Sequence, residues 1–168
     1  MTLSNLESNY YDTCSLTLAL HPSETEVRLS ARVMAYLVNA RQEHLRFTKG
    51  LSEVDQPDIW ARSLDDKIEL WIDVGEPAVD RIKKASRLAD VVKVYSFNSK
   101  SDVWWQQNQS KISRLKAWVY RFDLQDIKGF TQLLTRTMDY SVTITGNSAY
   151  IATEQGECEI AWELLQEV

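Results

Sequence analysis

Residues 68 to 97 constrain this chain more than any other stretch. Ile68-Glu69-Leu70-Trp71-Ile72-Asp73-Val74 is apolar enough for a central strand, and Gly75-Glu76-Pro77 breaks it. Val79, Ile82, Ala85 and Leu88 then recur at helical spacing, and Val91-Val92-Lys93-Val94-Tyr95-Ser96-Phe97 is a second strand. A strand, a helix and a strand in that order predict a right-handed parallel crossover. Alternation along the first strand puts Glu69, Trp71 and Asp73 on one face and Ile68, Leu70, Ile72 and Val74 on the other.

The flanking sequence extends this unit into an α/β domain. Ser23-Glu24-Thr25-Glu26 has the form of a capping box, and Val27, Ala31, Met34 and Leu37 continue it as a helix to about Asn39. Ile59 to Arg62 predicts a strand paired antiparallel with Ile68–Val74. Further along come a helix over Asp102 to Ile112 capped by Ser101, a strand over Lys116 to Phe122, and a helix capped by Asp123 running to about Met138. Turns at Gly146-Asn147 and Gln155-Gly156 divide the tail into an antiparallel meander. The expected architecture is one domain, residues 1–168, with a mixed central sheet flanked by helices and a C-terminal antiparallel meander.

Composition narrows the function classes. The 168 residues include 5 glycines and 3 prolines, so the chain is neither collagen-like nor linker-rich. No apolar run approaches the roughly 20 residues of a membrane helix, and Met1 to Tyr10 lacks the pattern of a signal peptide, so a cytoplasmic location and no membrane partner are expected. Cys14 and Cys158 are isolated, and His21 and His44 are the only histidines, too few for a His-rich metal site or a Ser-His-Asp triad. Chemistry would have to run on carboxylates, lysines and arginines.

The net charge of −5 hides a separation along the chain. From Arg81 to Arg121 there are ten Lys or Arg against Asp90 and Asp102, a segment charge of +8 that leaves −13 elsewhere. Just before it, Glu53 to Asp80 holds nine carboxylates against Arg62 and Lys67. Either these are two solvated faces, or a divalent cation meets a polyanion between them. Asp73 falls near the carboxyl end of its strand, where open α/β sheets place ligands, and Pro57-Asp58 opens the antiparallel neighbour. Both carboxylates at one end of the sheet would suit a hard cation, Mg²⁺, Mn²⁺ or Ca²⁺, rather than Zn²⁺. A carboxylate in an apolar strand is costly unless paired or metal-bound.

His21-Pro22-Ser23-Glu24-Thr25, Asp55-Gln56-Pro57-Asp58-Ile59-Trp60, Leu70-Trp71-Ile72-Asp73-Val74-Gly75-Glu76-Pro77, Arg81-Ile82-Lys83-Lys84-Ala85 and Trp104-Trp105, in this order, resemble the YaeQ family over nearly the whole chain. That resemblance implies a restriction-endonuclease-like fold of the PD-(D/E)XK nuclease superfamily, in a bacterial protein of metal-dependent phosphodiesterase ancestry. It implies Asp58 as the motif's PD and Asp73 as its (D/E), with Glu24 as the helix-borne acid that completes a metal site. Gly75 stands where the motif has its lysine, so Lys84 from the next helix is the expected replacement, beside Asp73 and holding it ionised. The leading strand is expected to be truncated relative to the family.

The catalytic candidates are therefore Asp58, Asp73 and Lys84, and the metal candidates Glu24, Asp58 and Asp73. Glu24 has an alternative partner in Arg28, four residues on. Arg81, Lys83, Arg87, Trp105, Gln106 and Lys111 are the candidates for binding DNA or RNA, with one of the two adjacent tryptophans in the core and the other free to stack. Two functions remain open: metal-dependent phosphodiester hydrolysis, and a non-catalytic nucleic-acid or protein-binding module that kept the fold. A purely structural partner docking along the meander edge is a third.

Overall fold

The computed structural model describes residues 1–17, 20–49 and 54–168. Its centre is the unit anticipated above: β5 (Ile68–Val74), α2 (Val79–Leu88) and β6 (Ala89–Ser96), with β5 and β6 parallel. β7 (Trp118–Phe122) continues the parallel set beside β6, and β4 (Ile59–Arg62) pairs antiparallel with β5. The meander strands β8 (Ser141–Thr145), β9 (Ser148–Thr153) and β10 (Gly156–Gln166) join the sheet through β10, which lies antiparallel to β7. Three short strands, β1 (Thr2–Asn5), β2 (Tyr10–Thr13) and β3 (Leu45–Phe47), extend its two ends. Among the described residues, ten strands run in the order β2-β1-β8-β9-β10-β7-β6-β5-β4-β3, a single α/β domain on a mixed sheet.

Helices cover the two faces separately. α1 (Glu26–Val38) and α4 (Leu124–Leu133) bury Ala31, Met34, Leu37, Ile127 and Phe130 against Leu70, Ile72 and Val74. On the opposite face α2 and α3 (Ser101–Ile112) bury Ile82, Ala85 and Ile112 against Trp71, Val92, Val94 and Val119. β5 is covered on both sides, which explains its near-continuous apolar run.

Local departures from the sequence reading have local causes. α1 starts at Glu26 because Thr25, not Ser23, is its cap: the Thr25 hydroxyl accepts from the Arg28 N–H at 3.1 Å. Ser23 is engaged with the His21 ring at 2.7 Å instead. Asp123 caps α4 as expected, accepting from the Asp126 N–H. That helix ends at Leu133 rather than near Met138, because the Tyr140 hydroxyl donates to the Leu133 carbonyl at 2.8 Å and takes the Thr135 N–H at 2.9 Å. Ser101 is the first residue of α3 rather than its cap, and its hydroxyl bonds Ser96 at 2.6 Å. In β5 the register against β4 slips so that Leu70 opposes Ala61 and Ile68 opposes Arg62. This bulge reverses the expected faces of the first two residues. Ile68 packs with the α2 and α3 cluster, and Glu69 accepts from Gln42 at 3.2 Å.

Candidate functional site

Asp58 and Asp73 are brought to the same end of the sheet, as the antiparallel pairing of β4 and β5 requires. Ile59 opposes Ile72, and the Asp58 N–H donates to the Ile72 carbonyl at 3.0 Å. Both residues are buried, at 5% and 3% exposure, and the two carboxylates are answered on opposite faces of the sheet.

On the α1 face, one Asp58 oxygen accepts the Val74 N–H at 2.7 Å and the other accepts Arg28 Nη2 at 2.6 Å. Arg28 also donates to Glu24 at 2.8 Å and to the Val74 carbonyl at 3.2 Å. Glu24 is buried just ahead of α1, and Arg32 Nη1 reaches both its oxygens, at 3.0 and 2.8 Å. The expected pair of Glu24 with Arg28 is present, and Arg32 is the member that sequence reasoning missed. Its signal was legible: a cation inside the run Leu29-Ser30-Ala31-Arg32-Val33-Met34-Ala35, which is buried throughout. A charge in such a run needs a buried counter-charge.

On the α2 face, Arg81 holds Asp73 with two bonds, Nε to Oδ2 at 2.9 Å and Nη2 to Oδ1 at 2.8 Å. The same guanidinium donates to the Val54 and Gln56 carbonyls at 2.6 and 2.7 Å and lies over the Trp71 ring. Arg81 is thus consumed inside the site, which removes it from the nucleic-acid candidates. Lys84 does not take the place expected for it: its ammonium pairs with Asp55 at 2.5 Å, at an exposed position. Nor does Asp73 resist protonation as expected. Its burial pushes the carboxyl pKa up, and the opposing pull of Arg81 does not cancel that effect.

Gly75 explains why no lysine follows the second aspartate. Its φ is +120°, in the left-handed half of the map that L side chains rarely enter, and its N–H bonds the Tyr95 carbonyl at 2.8 Å. Position 75 is a backbone device in this chain.

The donor set is a poor match to a divalent ion as it stands. Glu24, Asp58 and Asp73 are three carboxylates, and each is already paired with Arg28, Arg32 or Arg81. A cation would have to displace guanidinium groups from buried positions. Among the described residues, no three His, Cys, Asp or Glu side chains gather so as to hold a metal ion.

The basic segment divides in the structure. Arg81 and Lys84 are paired as above, Lys93 is part-buried against Asn39 at 2.7 Å, and Arg121 pairs with Asp102 and Glu163. Burial pushes the Lys93 pKa down. Lys83, Arg87, Lys100, Lys111, Arg114 and Lys116 are exposed and, among the described residues, enter no ion pair. All six lie on or beside α2 and α3. Lys83 and Arg87 line a shallow depression of about 350 Å³ with Asp80, Lys84 and Leu88. Gln106 is exposed, and Trp105 is part-buried beside Trp104, with both packed against the core cluster rather than one inside it and the other free. Trp104 is further anchored by its indole N–H, 3.0 Å from the Pro77 carbonyl. Glu53, counted in the acidic stretch, lies outside the described residues.

The fold and site define a class: an α/β domain on a ten-stranded mixed sheet, with acidic residues at one end of two neighbouring strands locked to arginines from the flanking helices. The chain belongs to the YaeQ family, whose model, "YaeQ protein", matches residues 1–162. It is 36% identical to the YaeQ protein of Escherichia coli (strain K12) over 170 residues, covering 97% of this chain and 92% of that one. The YaeQ protein of Salmonella typhi is 35% identical over 168 residues, with the same coverage. Among solved structures, the YaeQ protein from Xanthomonas axonopodis pv. citri superposes with a TM-score of 0.94 at 30% identity, covering 99% of this chain and 96% of that one. The one from Pseudomonas syringae gives 0.92 at 30% identity, covering 99% and 92%. Among the described residues, no helix is long and apolar enough to cross a membrane.

Proposed function

We propose that this chain is a non-catalytic nucleic-acid-binding module on the frame of a PD-(D/E)XK nuclease. One observation carries the reading: the carboxylate that such a nuclease gives to its metal is, in Asp73, held through both oxygens by Arg81. A bidentate guanidinium supplies the positive charge that a metal ion otherwise brings, and it carries no water to activate. Asp58 and Glu24 are neutralised in the same way by Arg28 and Arg32, so the acidic end of the sheet serves as internal cement.

What is left for a partner is the α2 and α3 layer. Among the described residues, its six exposed cations without an ion pair face one acid on α2, Asp80, because Asp90 is paired with Lys67 and Asp102 with Arg121. A one-sided basic surface on a chain of negative net charge is suited to the phosphate backbone of DNA or RNA.

Fluorescence anisotropy with a labelled DNA or RNA oligonucleotide at increasing salt tests the reading. Affinity should fall linearly on a log–log plot, and Lys83→Ala with Arg87→Ala should lower the slope by about 2, close to 0.9 for each phosphate no longer neutralised. The same chain with Mn²⁺ should leave the oligonucleotide intact. Mn²⁺-dependent cleavage that Asp73→Asn abolishes would overturn the non-catalytic reading, and affinity indifferent to salt would overturn the nucleic-acid one.

A further inference from the structure

We propose that α3 is a reading helix that enters the major groove of duplex DNA, an inference that rests on the nucleic-acid reading above and assigns it a substrate. The argument begins with how α3 is mounted. Ser101, Trp104, Trp105, Asn108 and Ile112 form its inner side, with Ser101 and Ile112 fully buried. These anchors leave Val103, Gln106, Gln107 and Ser110 as an exposed stripe at i, i+3, i+4 and i+7, with Val103 51% exposed.

That stripe carries no charge, and none of its side chains has a hydrogen-bond partner among the described residues. The cations stand at its ends instead, Lys100 ahead of α3 and Lys111, Arg114 and Lys116 at and beyond its last turn, while the exposed Asp102 of the first turn is neutralised by Arg121. Charged ends and a neutral amide-bearing centre match the division of labour on DNA, where cations hold phosphates and uncharged polar groups read base edges. Glutamine can bond adenine N6 and N7 together, serine can pair with several edges, and a valine methyl suits the thymine methyl. Val103 to Ser110 spans about 10 Å along the helix axis, roughly three base steps. A helix about 10–12 Å across fits the B-form major groove, which is about 12 Å wide. The major groove of an RNA duplex is too deep and narrow for this, which makes DNA the partner.

Selection from a randomised DNA duplex pool by the full chain tests the inference. The wild type should enrich sequences containing adenine within a three-base-pair window. Gln106→Ala or Gln107→Ala should relax one position of that window by about ten-fold without changing the salt slope. Both positions are exposed and alanine is the better helix former, so the fold is retained. Lys111→Ala and Arg114→Ala should weaken all sequences alike and lower the slope. Salt-sensitive binding with no enrichment, or enrichment untouched by both glutamine variants, would overturn the reading helix and leave the nucleic-acid function standing. No binding to any oligonucleotide would overturn both.

Discussion

Arg81 closes on both oxygens of Asp73, at 2.9 and 2.8 Å, from the first turn of the helix that follows the aspartate's own strand. A cation from α2 was the expected answer to Gly75, and geometry selects residue 81 over residue 84. Asp73 sits at the strand end nearest the start of α2. Lys84 lies about 4.5 Å further along the axis, where Asp55 is its partner.

Removing Arg81 should expose how far Asp73 depends on it. In urea unfolding, Arg81→Ala should cost about 3 kcal/mol, because it leaves a buried carboxylate uncompensated. Adding Asp73→Asn to Arg81→Ala should recover a large part of that loss. Lys84→Ala, which breaks only a surface pair, should leave the unfolding midpoint where it is. Equal effects of the two single substitutions would show that the Arg81 pair is not special.

Acid titration follows from the direction of the Asp73 shift. Burial raises its folded pKa above the ordinary 3.8, so the folded state holds the extra proton between those two values. The contribution of this group is therefore most favourable below 3.8, and stability falls as pH rises through the window up to the folded value. Unfolding free energies of the wild type minus those of Asp73→Asn, measured across that window, should decline with pH. A rising difference would contradict the sign.

Placing a lysine at Gly75, where the resemblance to PD-(D/E)XK nucleases implies one, should fail. With φ at +120° and no heavy atom within 4 Å of the place a Cβ would occupy, the obstacle is backbone strain rather than a clash. Gly75→Ala and Gly75→Lys should destabilise equally, by about 1–3 kcal/mol, and neither should cleave nucleic acid with Mn²⁺. A stable, cleaving Gly75→Lys would show that the position is open to the lysine.

At the start of α1, the choice of cap is directly testable. Thr25→Ala should cost about 1 kcal/mol by urea unfolding, and Ser23→Ala distinctly less, since only the Thr25 hydroxyl holds a helix N–H. The reverse order would return the cap to Ser23.

Most of the fold was legible because its signals are local. The strand at Ile68–Val74 coincides with its apolar run, the Asp123 cap sits where a capping residue meets a periodic segment, and the meander follows its glycine turns. Local pattern could not reveal β2 or β3, whose four and three residues carry too little periodicity. Their pairing with β1 and β4 is decided by where the rest of the sheet lies. The bulge that turns Glu69 away from Trp71 and Asp73 was equally hidden, since it depends on the register against β4.

The sequence by itself put Asp58 at the start of one strand and Asp73 near the end of the next, so that an antiparallel pairing of the two brings both to one end of the sheet. Only the tertiary structure decided what they meet there. Which of several cations reaches a buried carboxylate depends on how α1 and α2 dock on opposite faces. That docking gives Asp58 to Arg28 and Asp73 to Arg81, and leaves Lys84 at the surface.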